Sequence, residues 1–231
     1  MARRKASRRV ALAHCSLWAL ALLPGGGAAA AGPASAAAVA AVAAAAPPKL
    51  LVLGDSLSAE YGLPRGSGWV ALLEQQLARD KRSVVVVNAS ISGDTTSGGR
   101  SRLPALLKLH APSHVVIELG GNDALRGLPL NMTRDNLLSM TRTAKAAGAK
   151  VLLVGMQVPP NYGARYGQDF SALFASVAQA EGAALVPFLL TGVADIPQAD
   201  KLFQPDRIHP TAEAHPRLLA NVWAVMKGWL R

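Results

Sequence analysis

From residue 49 onward, short continuous apolar runs alternate with longer stretches of helical period, and turn residues separate the two. The runs predict five strands, at residues 49–53, 84–87, 114–119, 151–154 and 184–188. The longer stretches predict five helices, at residues 69–79, 103–109, 137–147, 170–180 and 211–230. Unbroken apolar strands are typical of a sheet that is covered on both faces. The pattern therefore predicts an α/β fold, a three-layer α/β/α sandwich around a five-stranded parallel sheet.

The first 46 residues have the layout of an export leader rather than of a folded domain. A basic stretch ends at Arg9, an apolar stretch runs from Val10 to Leu23, and Pro24, glycines and an alanine-rich tract follow. The apolar stretch is shorter than the roughly 20 residues that a membrane-spanning helix needs, which argues against a retained anchor. We therefore expect residues 1–46 to be a secretory signal peptide and linker, and residues 47–231 to be a single domain that is exported to the periplasm or secreted. We expect no stable membrane insertion once the leader is removed.

The formal charge of +10 also comes largely from the leader. Five of the 24 basic residues lie in the first nine positions, which leaves 19 basic against 14 acidic residues and no basic cluster on any one predicted element. Nucleic acid is therefore not an expected partner. The single cysteine, Cys15, lies in the leader as well, so disulfides, thiolate metal sites and a cysteine nucleophile are not expected in the mature protein.

Four loops that follow predicted strands are rich in glycine and polar residues. They cover residues 54–58 (GDSLS), 92–95 (SGDT), 120–123 (GGND) and 206–210 (DRIHP). In open parallel sheets, ligands bind beyond the carboxyl ends of the strands, where such loops converge. The sequence therefore predicts a functional site at this edge of the sheet.

Ser56 and His209 are the candidate nucleophile and base. Ser56 lies in a turn that leads toward a predicted helix, where backbone N–H groups favour negative charge, although Ser56 alone is better explained as a helix cap. A serine hydroxyl needs a base to become a good nucleophile. His209 has a carboxylate three residues before it, Asp206, which can hold one imidazole nitrogen while the other faces Ser56. The three residues together predict a Ser-His-Asp triad.

Acyl transfer by such a triad also needs donors that face the developing oxyanion. Gly93 offers a backbone N–H that can be approached closely, and Asn122 offers a side-chain amide after two glycines. With the N–H of Ser56, these make three donors. Gly93 and Asn122 are each explained equally well as turn formers, but their joint occurrence at strand ends favours catalysis.

The other histidines have simpler structural explanations. His114 begins a buried strand, while His110 and His215 lie on predicted helices. Pro112 interrupts the spacing between His110 and His114, and Glu213 lies only two residues before His215, so we expect no metal site.

Two other kinds of α/β protein fit less well. A conventional α/β-hydrolase needs the motif G-x-S-x-G, and Ser58 stands at its last glycine position. A flavodoxin-like binding module could use residues 90–96 as a phosphate cradle, but that loop follows the second strand, and no glycine-rich phosphate motif follows the first.

The four loops resemble, in order, the sequence blocks of the SGNH or GDSL hydrolases over nearly all of residues 49–231. Residues 120–127 (GGNDALRG) and 156–163 (MQVPPNYG) are most similar to the periplasmic thioesterase, lysophospholipase and arylesterase branch of that family. The resemblance implies an SGNH-hydrolase domain with the flavodoxin-like sheet. It also implies a serine esterase that cleaves carboxylic esters and thioesters of acyl chains through an acyl-enzyme and without a cofactor.

Carried over to this sequence, the resemblance assigns Ser56, Asp206 and His209 to the triad and Ser56, Gly93 and Asn122 to the oxyanion hole. Residues 124–128 and 158–162 match loops that line the acyl pocket, and the residues named from them are Leu125, Pro160 and Tyr162. The expected partner is therefore a small-molecule or lipid acyl ester. The same fold and triad could instead remove acetyl groups from cell-wall or secreted polysaccharides, although the apolar loops favour acyl chains.

Arg207 departs from the family pattern, which usually has glycine at this position. If the position requires a positive φ, Arg207 is strained; if it does not, Arg207 places a cation beside the mouth of the cleft. We favour the second interpretation, which predicts a preference for anionic substrates.

Overall fold

The computed structural model describes residues 46–230, which form one mixed α/β unit. The predicted leader lies almost wholly outside the described residues. The sheet has five parallel strands in the order β2-β1-β3-β4-β5. In chain order they are β1 (Lys49–Gly54), β2 (Val85–Asn88), β3 (His114–Glu118), β4 (Lys150–Val154) and β5 (Ala184–Val186). The predicted five-stranded parallel α/β architecture is confirmed.

Six α-helices pack around the sheet within the described residues. They are α1 (Trp69–Arg79), α2 (Thr96–His110), α3 (Gly121–Leu125), α4 (Leu130–Ala146), α5 (Ala164–Glu181) and α6 (His215–Trp229). Three short 3-10 turns lie at Pro160–Tyr162, Ala199–Leu202 and Ala212–Ala214. Helices α1 and α6 pack against each other, while α4 contacts both α2 and α5, so two groups of helices cover the sheet.

The central strands β1 and β3 lie in the core, whereas the edge strand β2 does not. Every residue of β3 is buried, as are Leu50 to Gly54 in β1, because helices cover both faces. The expectation that all five strands are buried on both faces is wrong for β2, whose four residues are exposed or half-buried. Strand β2 lies at the edge of the sheet with only β1 beside it, so its apolar valines are only partly covered.

Helices α2, α4 and α5 begin earlier than their apolar period suggests. Helix α2 begins at Thr96 rather than at residue 103, because Thr95 caps it by accepting a hydrogen bond from the Gly98 N–H. Pro104, which usually marks a helix start, lies inside this helix. The first turns of these helices are polar, so hydrophobic spacing alone does not reveal them.

The last helix begins later than expected. Residues 212–214 form a 3-10 turn, and α6 starts at His215 with a proline in its first turn. The buried His215 Nδ1 accepts a hydrogen bond of 2.9 Å from the backbone N–H of Trp69. This contact satisfies a free donor at the start of α1, because the N-cap residue Gly68 has no side chain to cap the helix. The starts of α1 and α6 are thus joined directly.

None of the helices between residues 46 and 230 combines the length and apolar character that crossing a bilayer requires.

Candidate active site

The carboxyl ends of the central strands bring three of the predicted loops together. Gly54 at the end of β1 pairs in register with Glu118 at the end of β3. The Ile91 N–H donates to the carbonyl of Gly54, which draws the loop after β2 toward the same edge. The fourth loop, residues 206–210, comes from the C-terminal part of the chain. It reaches this edge through the hydrogen bond between His209 and Ser56.

Ser56, His209 and Asp206 form a continuous hydrogen-bonded chain. The distance from Ser56 Oγ to His209 Nε2 is 2.8 Å, and that from His209 Nδ1 to Asp206 Oδ2 is 2.6 Å. With the Nδ1 proton donated to Asp206, Nε2 is left free to accept the hydroxyl proton of Ser56. The contact expected between the loop after β1 and the loop near the C-terminus is therefore present, with the geometry of a nucleophile, a base and an orienting carboxylate.

Asp206 remains a carboxylate because its own loop folds around it. Its Oδ1 accepts the backbone N–H groups of Ile208 and His209, each at 3.0 Å. Burial alone would raise the pKa of Asp206, but these backbone bonds, with the side chain and charge of His209, lower it to about 2. An ionised Asp206 can therefore hold the Nδ1–H of His209 at neutral pH.

Gln204 and Tyr61 hold the His209 loop against the Ser56 loop. The Gln204 side-chain amide donates to the carbonyls of Tyr61 at 2.9 Å and Pro210 at 3.1 Å. The Gln204 backbone N–H donates to the His209 carbonyl at 2.7 Å. The ring of Tyr61 packs on the His209 imidazole, with 4.3 Å between their centroids. Neither residue was expected from the sequence, because a polar side chain that spans two loops leaves no periodic signal.

The turn that carries Ser56 does not begin a regular helix. Residues 56–62 form successive turns, and the first helix starts only at Trp69. The expectation that a helix N-terminus supports negative charge at Ser56 is therefore wrong. The Ser58 and Ala59 N–H groups instead donate to the carbonyl of Asp55, and the Asp55 carboxylate accepts the N–H of Leu57. Hydrogen bonds to Asp55 thus hold the chain on the C-terminal side of Ser56.

The three predicted oxyanion donors lie on three different segments of the chain. Among residues 46–230, the backbone N–H groups of Ser56 and Gly93 make no hydrogen bond, so both can serve a ligand. Gly93 has a φ of +78°, which favours glycine, and its carbonyl accepts a hydrogen bond of 2.7 Å from Arg126. Asn122 lies in the short helix α3 rather than in the expected loop, and its amide donates to Asp55 Oδ2 at 3.0 Å. The second N–H of that amide remains for an oxyanion.

A buried carboxylate next to Asn122 fixes the helix that carries it. Asp123 accepts the backbone N–H of Thr96 at 2.8 Å and also bonds the Thr96 and Thr133 hydroxyls. Asn136 completes the cluster by donating to the Thr96 hydroxyl at 3.0 Å. These contacts tie the start of α3 to the starts of α2 and α4. Apart from Asp123 itself, no residue of this cluster was recognised from the sequence.

Two further carboxyl groups lie buried beneath the Ser56 turn. Asp55 and Glu118 are each 2% exposed. Burial is the main cause that raises the pKa of Asp55 to about 6, against hydrogen bonds from Leu57 and Asn122 and the charge of His209. Burial, followed by the charge on Asp55, raises the pKa of Glu118 well above its ordinary value. Both residues could have been found from the sequence, because Asp55 directly follows the apolar strand β1 and Glu118 ends the apolar strand β3.

The predicted acyl-pocket residues lie on two segments. Leu125 ends α3, three residues after Asn122, and is 43% exposed. Pro160 and Tyr162 form the 3-10 turn after β4, where the Tyr162 ring stacks on Tyr166 with 6.1 Å between centroids. No hydrogen bond or ring contact within residues 46–230 links Pro160 or Tyr162 to the triad. Their role in substrate binding therefore stays a prediction.

Arg207 has a φ of +57°, in the left-handed region. Asp206 accepts the N–H groups of the two residues that follow Arg207, and the chain must reverse sharply there to bring them back. The interpretation that this position does not require a positive φ is therefore wrong. Arg207 is the strained alternative, and the expected preference for anionic substrates loses its basis.

Within the described residues, no three histidine, cysteine, aspartate or glutamate side chains are grouped in a way that could hold a metal ion.

Comparisons with known proteins agree on one family. Residues 52–217 match the GDSL-like Lipase/Acylhydrolase family. Esterase TesA of Pseudomonas aeruginosa is 54% identical over 181 residues, which cover 78% of this chain and 89% of that protein. Thioesterase 1/protease 1/lysophospholipase L1 of Escherichia coli strain K12 is 46% identical over 167 residues, covering 72% of this chain and 77% of that protein.

A solved structure extends the likeness to three dimensions. The psychrotrophic esterase EstA of Pseudoalteromonas, in a structure inhibited by monoethylphosphonate, superposes with a TM-score of 0.74 at 39% identity. The match covers 79% of this chain and 98% of that one.

Proposed function

The chain belongs to the GDSL-like lipase/acylhydrolase family and is a serine hydrolase of small-molecule esters, and on that basis we propose that Ser56, His209 and Asp206 are its catalytic triad. The single observation that carries this proposal is the unbroken chain of short contacts from Ser56 Oγ through His209 to Asp206.

In the proposed first step, Ser56 Oγ attacks the carbonyl carbon of the ester while its proton passes to His209 Nε2. The carbonyl π pair moves to oxygen, and the resulting oxyanion is held by the N–H groups of Ser56 and Gly93 and by the Asn122 amide. Asp206 stabilises the imidazolium through the Nδ1–H bond. When the tetrahedral intermediate collapses, the bond to the leaving alkoxide or thiolate breaks, and His209 protonates that group.

In the second step, water takes the place of the leaving group. His209 Nε2 removes a proton from the water as its oxygen attacks the acyl-Ser56 carbonyl. The same three donors hold the second oxyanion, and collapse returns the proton to Ser56 Oγ and releases the carboxylic acid. The cycle balances in atoms and protons without a cofactor.

We propose that the substrates are carboxylic esters and thioesters of acyl chains, including lysophospholipids. The names of the relatives support this class: esterase, arylesterase, and thioesterase 1/lysophospholipase L1. The exposed Leu125, at the end of the helix that carries Asn122, and the tyrosines at 162 and 166 supply apolar surface for such a chain. We assign Leu125, Pro160 and Tyr162 to acyl binding on this basis.

We also propose that residues 1–46 are removed on export and that residues 47–231 are the single catalytic domain, which acts in the periplasm or outside the cell. The basic and apolar layout of the first 23 residues supports export. The compact unit that begins near residue 45 supports the domain boundary.

A chain-length series of aryl esters, measured with the protein lacking its leader, tests the proposed function. Acyl-thioester and lysophospholipid substrates are compared in the same assay, with an acetylated sugar as the competing class. We expect hydrolysis of acyl esters and thioesters, and loss of that hydrolysis in Ser56→Ala with an unchanged circular dichroism spectrum. Turnover by Ser56→Ala close to that of the parent protein would reject the triad.

A phosphonate ester separates the nucleophile from the other triad residues. EstA was solved in a form inhibited by monoethylphosphonate, and an activated ethylphosphonate should form a covalent adduct with this chain. We expect mass spectrometry to place the adduct on the peptide that contains Ser56, with no adduct on Ser56→Ala. Ser101→Ala, at an exposed position of α2, is the matched control, and it should still be labelled.

A further inference from the structure

Glu118 makes an unusual set of contacts for a buried glutamate. It ends the fully buried strand β3, and its Oε2 atom accepts hydrogen bonds from the Ser58 hydroxyl at 2.8 Å and from the Asp55 N–H at 3.3 Å. The Ser58 hydroxyl in turn accepts the indole N–H of Trp69 at 3.1 Å, so its own proton points at Glu118. One oxygen of Glu118 therefore binds both Asp55 and Ser58, the residues that flank Ser56 and Leu57.

The backbone of β1 leaves room for this carboxyl group. A Cβ atom at Gly54 would lie 2.9 Å from Glu118 Oε2 and 2.8 Å from the Ser58 side chain. Only glycine at position 54 lets the Glu118 carboxyl reach the turn. The first residue of the GDSLS sequence is thus matched to Glu118, which lies 64 residues later in the chain and opposite it in the sheet.

Asp55 connects Glu118 to the oxyanion donor. Asp55 Oδ1 accepts the Leu57 N–H, and Asp55 Oδ2 accepts the Asn122 amide, both at 3.0 Å. The Asp55 N–H donates to Glu118 Oε2, and the charge on Asp55 is close enough to raise the pKa of the Glu118 carboxyl. Two buried carboxyl groups this close to each other are stable together only when one of them carries a proton.

The charge balance decides which carboxyl carries that proton. Neither Asp55 nor Glu118 forms an ion pair with lysine or arginine in the part of the chain that the structure describes, and two adjacent buried carboxylates without a cation cannot both be ionised. Asp55 accepts two N–H donors and faces His209, which favours its ionised form, whereas the charge of Asp94 opposes it. Glu118 faces the Asp55 carboxylate and accepts both of its hydrogen bonds on Oε2, so the proton belongs on its second oxygen, Oε1.

We propose that Glu118 is a positioning residue that stays protonated while the enzyme works and that aligns the Ser56 turn and the Asn122 amide through Ser58 and Asp55. The Glu118 O–H donates to the Asp55 carboxylate, which then holds the Asn122 amide so that its second N–H faces the oxyanion. The proposal rests on the roles given above to Ser56 and Asn122. Glu118 itself touches no substrate atom in this scheme.

Glu118→Leu and Glu118→Gln test the positioning role. Leucine removes every polar contact, and we expect kcat to fall roughly 10²-fold, the scale of losing one oxyanion donor, with little change in KM. Glutamine accepts from Ser58 and Asp55 through its oxygen and donates to Asp55 through its amide, as a protonated glutamate does. It should restore most of the turnover that leucine loses, with the same dependence on pH as the parent protein. A glutamine variant as impaired as the leucine variant, with both folded, would overturn the proposal.

Infrared spectroscopy tests the proton independently of activity. A protonated carboxyl has a C=O stretching band that an ionised carboxylate lacks, and we expect such a band at pH 7 that disappears in Glu118→Gln. Glu181→Gln is the matched control, because Glu181 pairs with Arg142 and Lys145 and its loss should leave the band in place. A band unchanged by Glu118→Gln shows that Glu118 is ionised and overturns the proposal. This readout survives even if the parent protein hydrolyses no ester, so the two failures are distinguishable.

A double-variant cycle tests the path through Asn122. In the Asn122→Ala background, Glu118→Leu should reduce kcat far less than it does in the parent protein, because both changes remove the same donor. Independent, multiplicative losses would show that Glu118 acts elsewhere and would overturn the positioning scheme.

Discussion

At the scale of single residues, the site combines atoms with very different surroundings. Asp206 lies near the surface and is kept ionised by the N–H groups of its own loop. Asp55, next to the nucleophile, is buried, and burial raises its pKa to about 6. The pKa values of two aspartates in one site are thus shifted in opposite directions. Their hydrogen-bonding surroundings decide which of them accepts the imidazole N–H.

Asn122→Ala tests the oxyanion hole at this scale. We expect kcat to fall roughly 10²–10³-fold, because a preorganised donor stabilises the transition state more than the bound ester. Steady-state kinetics on an aryl ester measure the effect. Asn131→Ala, on the exposed first turn of α4, is the control and should behave like the parent protein. Equal kinetics in both variants would remove Asn122 from the mechanism.

Arg207→Gly tests the strain at the left-handed position. A non-glycine residue there costs about 1–2 kcal/mol, of which the greater freedom of glycine in the unfolded chain cancels about 0.5–1 kcal/mol. We therefore expect a gain of about 0.5–1 kcal/mol in the free energy of unfolding, measured by urea denaturation. Arg207→Ala removes the charge but keeps the Cβ, and it should show no such gain. Similar gains in both variants would point to charge rather than to backbone strain.

At the scale of secondary-structure elements, loops bring the catalytic groups together and helices hold those loops. Asp123 ties α3 to the starts of α2 and α4 through partners 27 and 10 residues away in sequence. Gln204 ties the His209 loop to the carbonyl of Tyr61, 143 residues away. The strand-end motifs predicted which loops meet, but such single polar contacts have no period or spacing that a sequence could display.

Gln204→Ala tests the connection between the two triad loops. Without the amide, the carbonyls of Tyr61 and Pro210 lose a shared donor, and His209 is free to drift from Ser56. We expect kcat to fall roughly 10- to 100-fold with a smaller change in KM, because a displacement of about 1 Å is enough for such a loss. The control is Gln179→Ala, on the exposed face of α5, which should be kinetically silent. Unchanged kcat in Gln204→Ala would show that the loop holds its position without the amide.

At the scale of the whole molecule, the apolar pattern was enough to predict the sheet and its five strands, because buried parallel strands must be apolar throughout. The meeting of Ser56 with His209 was predicted from the polar loops that follow the strands and from Asp206, three residues before His209. The pattern could not predict the starts of α2 and α4, because the residues buried there, such as Thr96 and Thr133, are polar. It also could not predict the positive φ of Arg207, which follows from hydrogen bonds to Asp206 rather than from the residue type.

The buried His215 makes the stability of the whole domain depend on pH. Burial lowers the pKa of His215 from 6.5 to about 4, with the charge of Glu60 opposing the shift. Between these two pKa values, the unfolded chain binds a proton that the folded chain does not. The contribution of neutral His215 to the free energy of unfolding is therefore complete above pH 6.5 and is lost as the pH falls toward 4. Its full size is about 3 kcal/mol at about 1.4 kcal/mol for each unit of pKa. The raised pKa of Asp55 acts in the opposite direction, because folding there favours the protonated form.

Comparing His215→Asn with the parent protein isolates this contribution. Asparagine can accept the Trp69 N–H, but it fills less of the buried site, so the variant should be less stable than the parent at pH 7. Asparagine does not titrate, so its own contribution does not change with pH. The deficit should shrink by about 3 kcal/mol between pH 7 and pH 4, measured by urea denaturation at several pH values. A deficit of the same size at both pH values would show that His215 is not kept neutral by folding.

The direction of β1 has a practical consequence for handling the protein. Residues 46–48 are exposed and enter the sheet at its amino edge, whereas Ser56 follows the opposite end of the same strand. A bead, chip or affinity tag joined just before residue 46 would therefore be attached at the far end of β1 from the nucleophile. Immobilisation through that terminus should leave the mouth of the cleft open to bulky or surface-bound substrates.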